Sequence, residues 1–375
     1  MSAAGPLAGL KVVEAGLVIA GPFCGSLLAD QGAQVIKVER PDSGDPVRQM
    51  GPAPSGVPLW WGVAARDKHC VGLDLKDPAE RERFLTLIEE ADVFVENYRP
   101  GVLERLGLGF DVLSARNPRL VVMSVSGFGQ SGPYGKRPGF GKIAECFSGL
   151  LPVTGAPEET PLFVGFSLAD TTAGLMGAMA INMALWHRDC AGGRAVHIDV
   201  ALYEPLLRMM ETQFALMAAT GEPPRRRGTN DPYGWGAPGV PERWFVPVTM
   251  RDGAEAFVLV DGDSRPRIRT LTGGDTDEAL QAWAATVDAD EAAEQLRRHG
   301  IEAGRVHDGL SMAGDAYFRA RGDVIDAPCP EFPAMAVPGR VPRRSDRGAE
   351  RAFRPAAIGE DDAMLPAGRQ SETIS

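Results

Sequence analysis

Long apolar runs are missing from this 375-residue sequence: no stretch of about 18 consecutive apolar residues occurs in it. A membrane-spanning helix is therefore not expected. The opening residues, MSAAGPLAGLKVVEAG, lack a basic start followed by an apolar core, so no secretory leader is read there. Cysteine is scarce. Cys24, Cys70, Cys146, Cys190 and Cys329 are scattered without CxxC or Cys/His spacing, which excludes a disulfide framework or a zinc site as the organising device. His69, His187, His197, His299 and His307 share no ligand spacing, and no metal is expected. Positive charge is in deficit: 39 Lys and Arg against 50 Asp and Glu leave a net charge of −11, which argues against nucleic-acid or anionic-membrane partners. A soluble, cytoplasmic protein is the expectation.

What is present is an ordinary globular composition, 44% hydrophobic and 24% charged, in a chain longer than the roughly 250–300 residues one core supports. The first 130 residues alternate strand-like and helix-like segments. Strands are expected at 11–16, 34–40, 69–75, 92–98 and 119–129, and helices at 21–33, 77–91, 101–107 and 110–118. In the helix at 77–91, Asp77 is read as the cap, Pro78 as the first helical residue and Glu80 as completing a capping box. Such alternation implies an α/β fold, a Rossmann-like open parallel sheet. Residues 1–220 are assigned to this large domain, 221–244 to a linker or lid, 245–326 to a smaller α/β domain and 327–375 to a tail. Residues 192–217 read as a strand running into one long amphipathic helix.

Ligands bind open α/β sheets at the carboxyl ends of the strands, where this sequence places Arg40, Lys76, Arg99 and Arg137, with Arg105 a turn further on. Cations there suit a phosphate-bearing ligand. The first strand-to-helix turn, GLVIAGPFCG (16–25), is not GxGxxG, its Pro22 lacks an amide, and no Walker A motif occurs, so NAD or ATP held in the standard way is not expected. SLADTTAGLMGAMAINMAL (167–185) sets one carboxylate, Asp170, against a segment of small and aliphatic residues. Two readings are open: a cap of the helix that Thr171 begins, or a carboxylate nucleophile at a pocket mouth. Trp60 and Trp61 read either as walls of a ligand pocket or as buried structural residues.

The order of motifs resembles the class III CoA-transferase family, the group of formyl-CoA transferase, carnitine CoA-transferase and α-methylacyl-CoA racemase. The resemblance rests on residues 9–48, 71–134, SGLLPVTG (148–155), SLADTTAG (167–174), GGRAVHIDVALYE (192–204) and a weaker echo at PAAIGEDDAML (355–365). It implies that Asp170 is the catalytic carboxylate, forming an anhydride and then an aspartyl-CoA thioester. Coenzyme A would be a substrate rather than a bound cofactor. The resemblance places CoA contacts at Val18, Arg40, Leu73, Lys76, Asn97, Tyr98 and Arg105, and more loosely at Arg137. It implies acyl-CoA and carboxylic acid substrates and an interlocked, ring-like homodimer. The substrate-pocket positions depart from the family. Phe140 and Gly141 stand where the racemases carry a His–Asp pair, Ile19 replaces a polar residue of the oxalate-handling members, and Glu145 replaces a common Gln. These changes favour transfer over racemisation and hint at a less polar acyl group. A racemase or isomerase of acyl-CoA thioesters, or a catalytically silent CoA-binding homologue, are the alternatives. Glu145 reads as a second acid/base or as a surface or salt-bridged side chain.

Overall fold

Runs of Val, Ile and Phe with no polar alternation build strands that are covered on both faces. In the computed structural model, which describes residues 5–56, 58–229, 243–327, 335–343 and 356–366, they are β1 (Lys11–Glu14), β2 (Gln34–Glu39), β3 (Lys68–Gly72), β4 (Val93–Glu96) and β5 (Val121–Ser126), joined by the edge strand β6 (Val196–Ala201), which alternates and is exposed over its first half. All pair in parallel, in the order β3-β2-β1-β4-β5-β6, with Val12 opposite Val35 on one side and Val93 on the other. The Rossmann-like sheet expected from the sequence is therefore present. Its connection order reverses between β1 and β4, the point at which such sheets leave a crevice.

The helices of this part are α1 (Ala20–Asp30), α2 (Leu59–Ala64), α3 (Pro78–Glu90), α4 (Val102–Arg105), α5 (Phe110–Arg116), α6 (Gly141–Phe147) and α7 (Leu168–Ala191). Val12, Val35, Val95 and Met123 face α1 and α7, while Val13, Ile36, Phe94 and Val122 face Phe84 and Ile88 of α3 and Leu113 of α5. Asp77 caps α3 through the amides of Ala79 and Glu80, with Pro78 first in the helix. The capping box is not formed, because Glu80 reaches back to the amide of Asp74. Small residues let α7 lie close to the sheet and to α1. A Cβ on Gly174 would sit 2.7 Å from the carbonyl oxygen of Ala20.

The described residues form two compact units: those within 1–150, 163–215 and 322–375, and those within 151–162 and 216–321. After β6, the single long helix expected is two, α8 (Glu204–Met209) and α9 (Glu211–Thr220). Most of the lid or linker expected at 221–244 lies outside the described residues. The second unit holds the antiparallel strands β7 (Trp244–Thr249), β8 (Glu255–Val260) and β9 (Ala303–Arg305). One face is packed by Ile268 of α10 (Arg265–Thr272), Leu280 of α11 (Asp277–Ala284) and Leu296 of α12 (Ala289–Arg298). The short helices α13 (Gly309–Gly314) and α14 (Ala316–Arg321) follow.

In the first unit, β10 (Val324–Asp326) and β11 (Ala336–Pro338) form a separate antiparallel pair. The edges of the large sheet are β3 and β6. At β3 the edge is met by distant residues. Asp361 accepts from the amide of Cys70 (2.9 Å) and Asp362 from that of Gly72 (2.8 Å), so residues brought back from far along the chain satisfy that edge. Gly174→Val should push two methyls into the α1 backbone and destabilise the protein by about 1–3 kcal/mol. A thermal melt unchanged by that substitution would contradict the close approach.

Candidate active site

Glu14 at the end of β1, Lys37 and Glu39 late in β2 and Lys68 at the start of β3 are charges buried where apolar residues are the rule. Glu14 closes β1 and takes Lys37 (2.9 Å) and Lys68 (2.8 Å) as ion-pair partners. Lys37 also meets Asp45 (2.8 Å) and donates to the carbonyl of Gly16 (2.8 Å), and Lys68 donates to that of Pro22 (2.6 Å). Burial works against the Glu14 carboxylate, but the two ammonium groups outweigh it and hold its pKa below the usual value. Asp45 accepts from the amides of Val18 (3.0 Å) and Val47 (2.9 Å), and its own amide donates to Glu39 (2.7 Å), which Arg48 grips with two nitrogens. Asn97, just past β4, both accepts from the Leu17 amide (2.6 Å) and donates to its carbonyl (2.8 Å).

This framework forces Val18 into the left-handed region, φ 62°, a conformation β-branched residues rarely adopt and one that costs about 1–3 kcal/mol. The sequence reading gave no role to Glu14, Lys37, Lys68 or Asp45. For the first three the signal was charge inside strands that otherwise read as apolar: KVVE, VIKVE and KHCVG.

The positions singled out for a CoA-like ligand fall into two groups. Val18 and Asn97 meet at the loop after β1, while Leu73 and the half-buried Tyr98 belong to one apolar cluster, with burial pushing the Tyr98 phenol up to about 12. Arg40, Lys76 and Arg105 stand exposed after β2, β3 and β4. Arg40 is paired with Asp42 at 2.6 Å, and Arg137 lies over the Tyr134 ring at 3.7 Å.

Helix α7 starts at Leu168, so Asp170 is not the cap of a helix beginning at Thr171. It occupies the first turn, where the helix dipole favours a carboxylate. Facing it is Gly141, the first residue of α6, whose added Cβ would lie 2.0 Å from Asp170 Oδ2; only glycine fits there with α6 and α7 as they are. One turn along α6, Glu145 is fully buried and salt-bridged, its carboxylate chelating Lys142 at 3.0 and 2.9 Å. Lys142 also donates to the carbonyls of Val164 and Phe166, each at 2.8 Å, which ties the segment before α7 to α6. Burial, followed by repulsion from Glu145, raises Asp170 to about 6, with its own backbone amide and Lys142 opposing. Phe140 immediately precedes α6 and is 63% exposed.

A cavity of about 800 Å³ lies beside the start of α7, between α1 and α2. Ile19, Phe23, Trp60 and Phe166 form its apolar wall, and Ser167 and Thr171, three before and one after Asp170, complete it. Trp60 is thus a pocket wall, whereas Trp61 is buried and donates from its indole nitrogen to Ala356 O (3.2 Å). Elsewhere on the sheet, Ser124 bonds His197 Nε2 at 2.8 Å beside the buried Glu96, which burial pushes up to about 7. The sequence reading noted His197 only as lacking ligand spacing and did not single out Ser124 or Glu96.

A parallel sheet in this strand order, with a raised carboxylate at a helix start beside an apolar cavity, defines an α/β enzyme. Residues 7–362 match CoA-transferase family III, and the chain belongs to that family. It is a transferase, and coenzyme A is a substrate of its class. It is 36% identical to succinyl-CoA--D-citramalate CoA-transferase of Chloroflexus aurantiacus over 91% of this chain and 88% of that protein. It is 34% identical, over the same shares, to the beta subunit of succinyl-CoA--L-malate CoA-transferase from the same organism. The crystal structure of a CAIB/BAIF family protein from Brucella suis superposes with a TM-score of 0.84 at 29% identity, covering 96% of this chain and 98% of that one. No helix among the described residues is long and apolar enough to cross a membrane.

Asp170 ionises from about 3.8 in the unfolded chain and about 6 in the folded one, so its ionisation costs stability progressively as pH rises between these values. A carbon-13 carboxyl titration should find its midpoint near 6. Glu145→Gln removes the repelling charge and should lower that midpoint; an unmoved titration would refute the coupling.

Proposed function

We propose that the enzyme moves CoA from an acyl-CoA thioester to a carboxylic acid through Asp170. The supporting observation is a half-buried carboxylate with a raised pKa, held in a helix's first turn against a glycine. Partial desolvation makes a carboxylate a better nucleophile than it is in water. An Asp170 oxygen attacks the thioester carbon and CoA thiolate leaves, giving a mixed anhydride. The thiolate then attacks the Asp170 carbonyl, breaks the anhydride C–O bond and releases the donor as its carboxylate. The acceptor carboxylate attacks the resulting aspartyl thioester, and the expelled thiolate attacks the acceptor carbonyl of the new anhydride. That step forms the product thioester and restores Asp170. No proton or electron is gained or lost overall.

In this reading Val18, Leu73, Asn97 and Tyr98 seat the cofactor portion of the substrate, and Arg40, Lys76, Arg105 and Arg137 meet its phosphates. Ile19, Gly141 and Glu145 shape the reacting end. Phe140 and Gly141 have no group able to carry a proton, which favours transfer over α-proton exchange.

We further propose a homodimer, interlocked as the family resemblance implies. Leu175, Met179, Met183 and Trp186 form one stripe along α7 and are 53%, 47%, 61% and 74% exposed, a continuous apolar face that a second copy would cover.

Asp170→Asn should lower transfer by about 10³-fold or more. Wild type incubated with an acyl-CoA and trapped with hydroxylamine or borohydride should carry a mass change on Asp170. Transfer by the variant at the wild-type rate, with no modified Asp170 in wild type, would sink the mechanism. Sedimentation should give twice the chain mass, and Met183→Glu should weaken that association.

A further inference from the structure

Resting on the nucleophile reading of Asp170, we infer that the acyl group this enzyme carries is an apolar monocarboxylic one, seated in the cavity between α1, α2 and the start of α7. The cavity's size, about 800 Å³, is in the range of small-molecule sites. Its charged lining is paired within the protein. Among the described residues the acid and the base on its wall, Asp30 and Arg66, pair with each other at 2.7 Å. Arg66 also donates to Pro338 O (2.9 Å), and Asp30 has a second cation in Arg340 (3.4 Å).

Of the three hydroxyls on the wall, those of Ser26 and Thr171 are likewise occupied, and Ser167 makes no side-chain cap bond. Ser26 Oγ lies 2.9 Å from the carbonyls of both Pro22 and Ala64, and Thr171 Oγ1 lies 2.9 Å from Ser167 O and 3.1 Å from Leu168 O. A second carboxylate at the far end of a dicarboxylic acyl group would lose its water here and find no unpaired cation among the described residues of the wall. Burial of an uncompensated charge is among the largest penalties a site can impose. Methylene, branched or aromatic groups meet Ile19, Phe23, Trp60 and Phe166 instead. The wall thus selects against the dicarboxylic acyl groups in the names of the citramalate and malate relatives.

The test compares acetyl-, hexanoyl- and succinyl-CoA as donors to one fixed acceptor. kcat/KM should rise roughly four-fold per methylene from acetyl towards hexanoyl, with hexanoyl-CoA exceeding succinyl-CoA at least ten-fold. Val63→Trp, which fills the cavity, should abolish the hexanoyl advantage while acetyl-CoA still modifies Asp170. Ile19→Arg should shift preference towards succinyl-CoA. Succinyl-CoA equal to or better than hexanoyl-CoA in wild type would overturn the inference. Calorimetric binding of hexanoyl-CoA against free CoA decides the cavity independently of Asp170. Tighter binding of the hexanoyl form, lost in Val63→Trp, supports the seat even if no donor modifies Asp170. Equal binding refutes it.

Discussion

The Glu14–Lys37–Asp45 ion network is the constraint on which the rest of the site depends. Removing one member would leave uncompensated charge in a dry interior, a loss of about 3–5 kcal/mol for a buried pair. That strength lets Asp45 keep Val18 at a left-handed φ, and lets Lys37 and Lys68 anchor the carbonyls of Gly16 and Pro22. A loop that glycines would leave mobile is here rigid, and it presents Val18 and Ile19 to the cavity. The absence of the usual glycine fingerprint after β1 thus has a structural counterpart: side-chain carboxylates and ammonium groups shape this turn in place of glycine freedom.

The second constraint is the contact of Gly141 with Asp170. One side-chain carbon would displace the carboxylate, so the identity of position 141 is dictated by the neighbour across the gap. Glu145 and Lys142, one face of the same short helix, then supply a paired charge that both repels Asp170 and ties down the strap at 164–166. Geometry and protonation are set by the same three residues of α6.

Strand periodicity made the large sheet legible, because parallel strands buried on both faces leave continuous Val and Ile runs, and each run in the first 130 residues became a strand. Boundaries were less legible. The helix at 168 begins before the residue that read as its cap, since Ser167 takes the cap position without a side-chain bond. Helix α10, RPRIRTLT, was not anticipated because Ile268 alone of its residues is buried. In the site, Asp170 was visible from its motif and its contrast with small neighbours. Gly141 and Glu145 were visible only as departures from the family and Lys142 not at all, since their contacts with Asp170 and with each other arise only when α6 is laid against α7. Phe140 drew attention as a departure from the family, yet in this chain it is exposed.

The return of Asp361 and Asp362 to the edge of β3 has a consequence for biosynthesis. Cys70 and Asp361 are 291 positions apart, so on the ribosome the β3 edge is made well before Asp361 and stays unsatisfied until that residue has emerged. During that interval the sheet presents free amides to any passing strand, the situation in which nascent chains aggregate or recruit chaperones. The second unit is contiguous apart from residues 151–162, so it can be completed before the edge of the large sheet is satisfied.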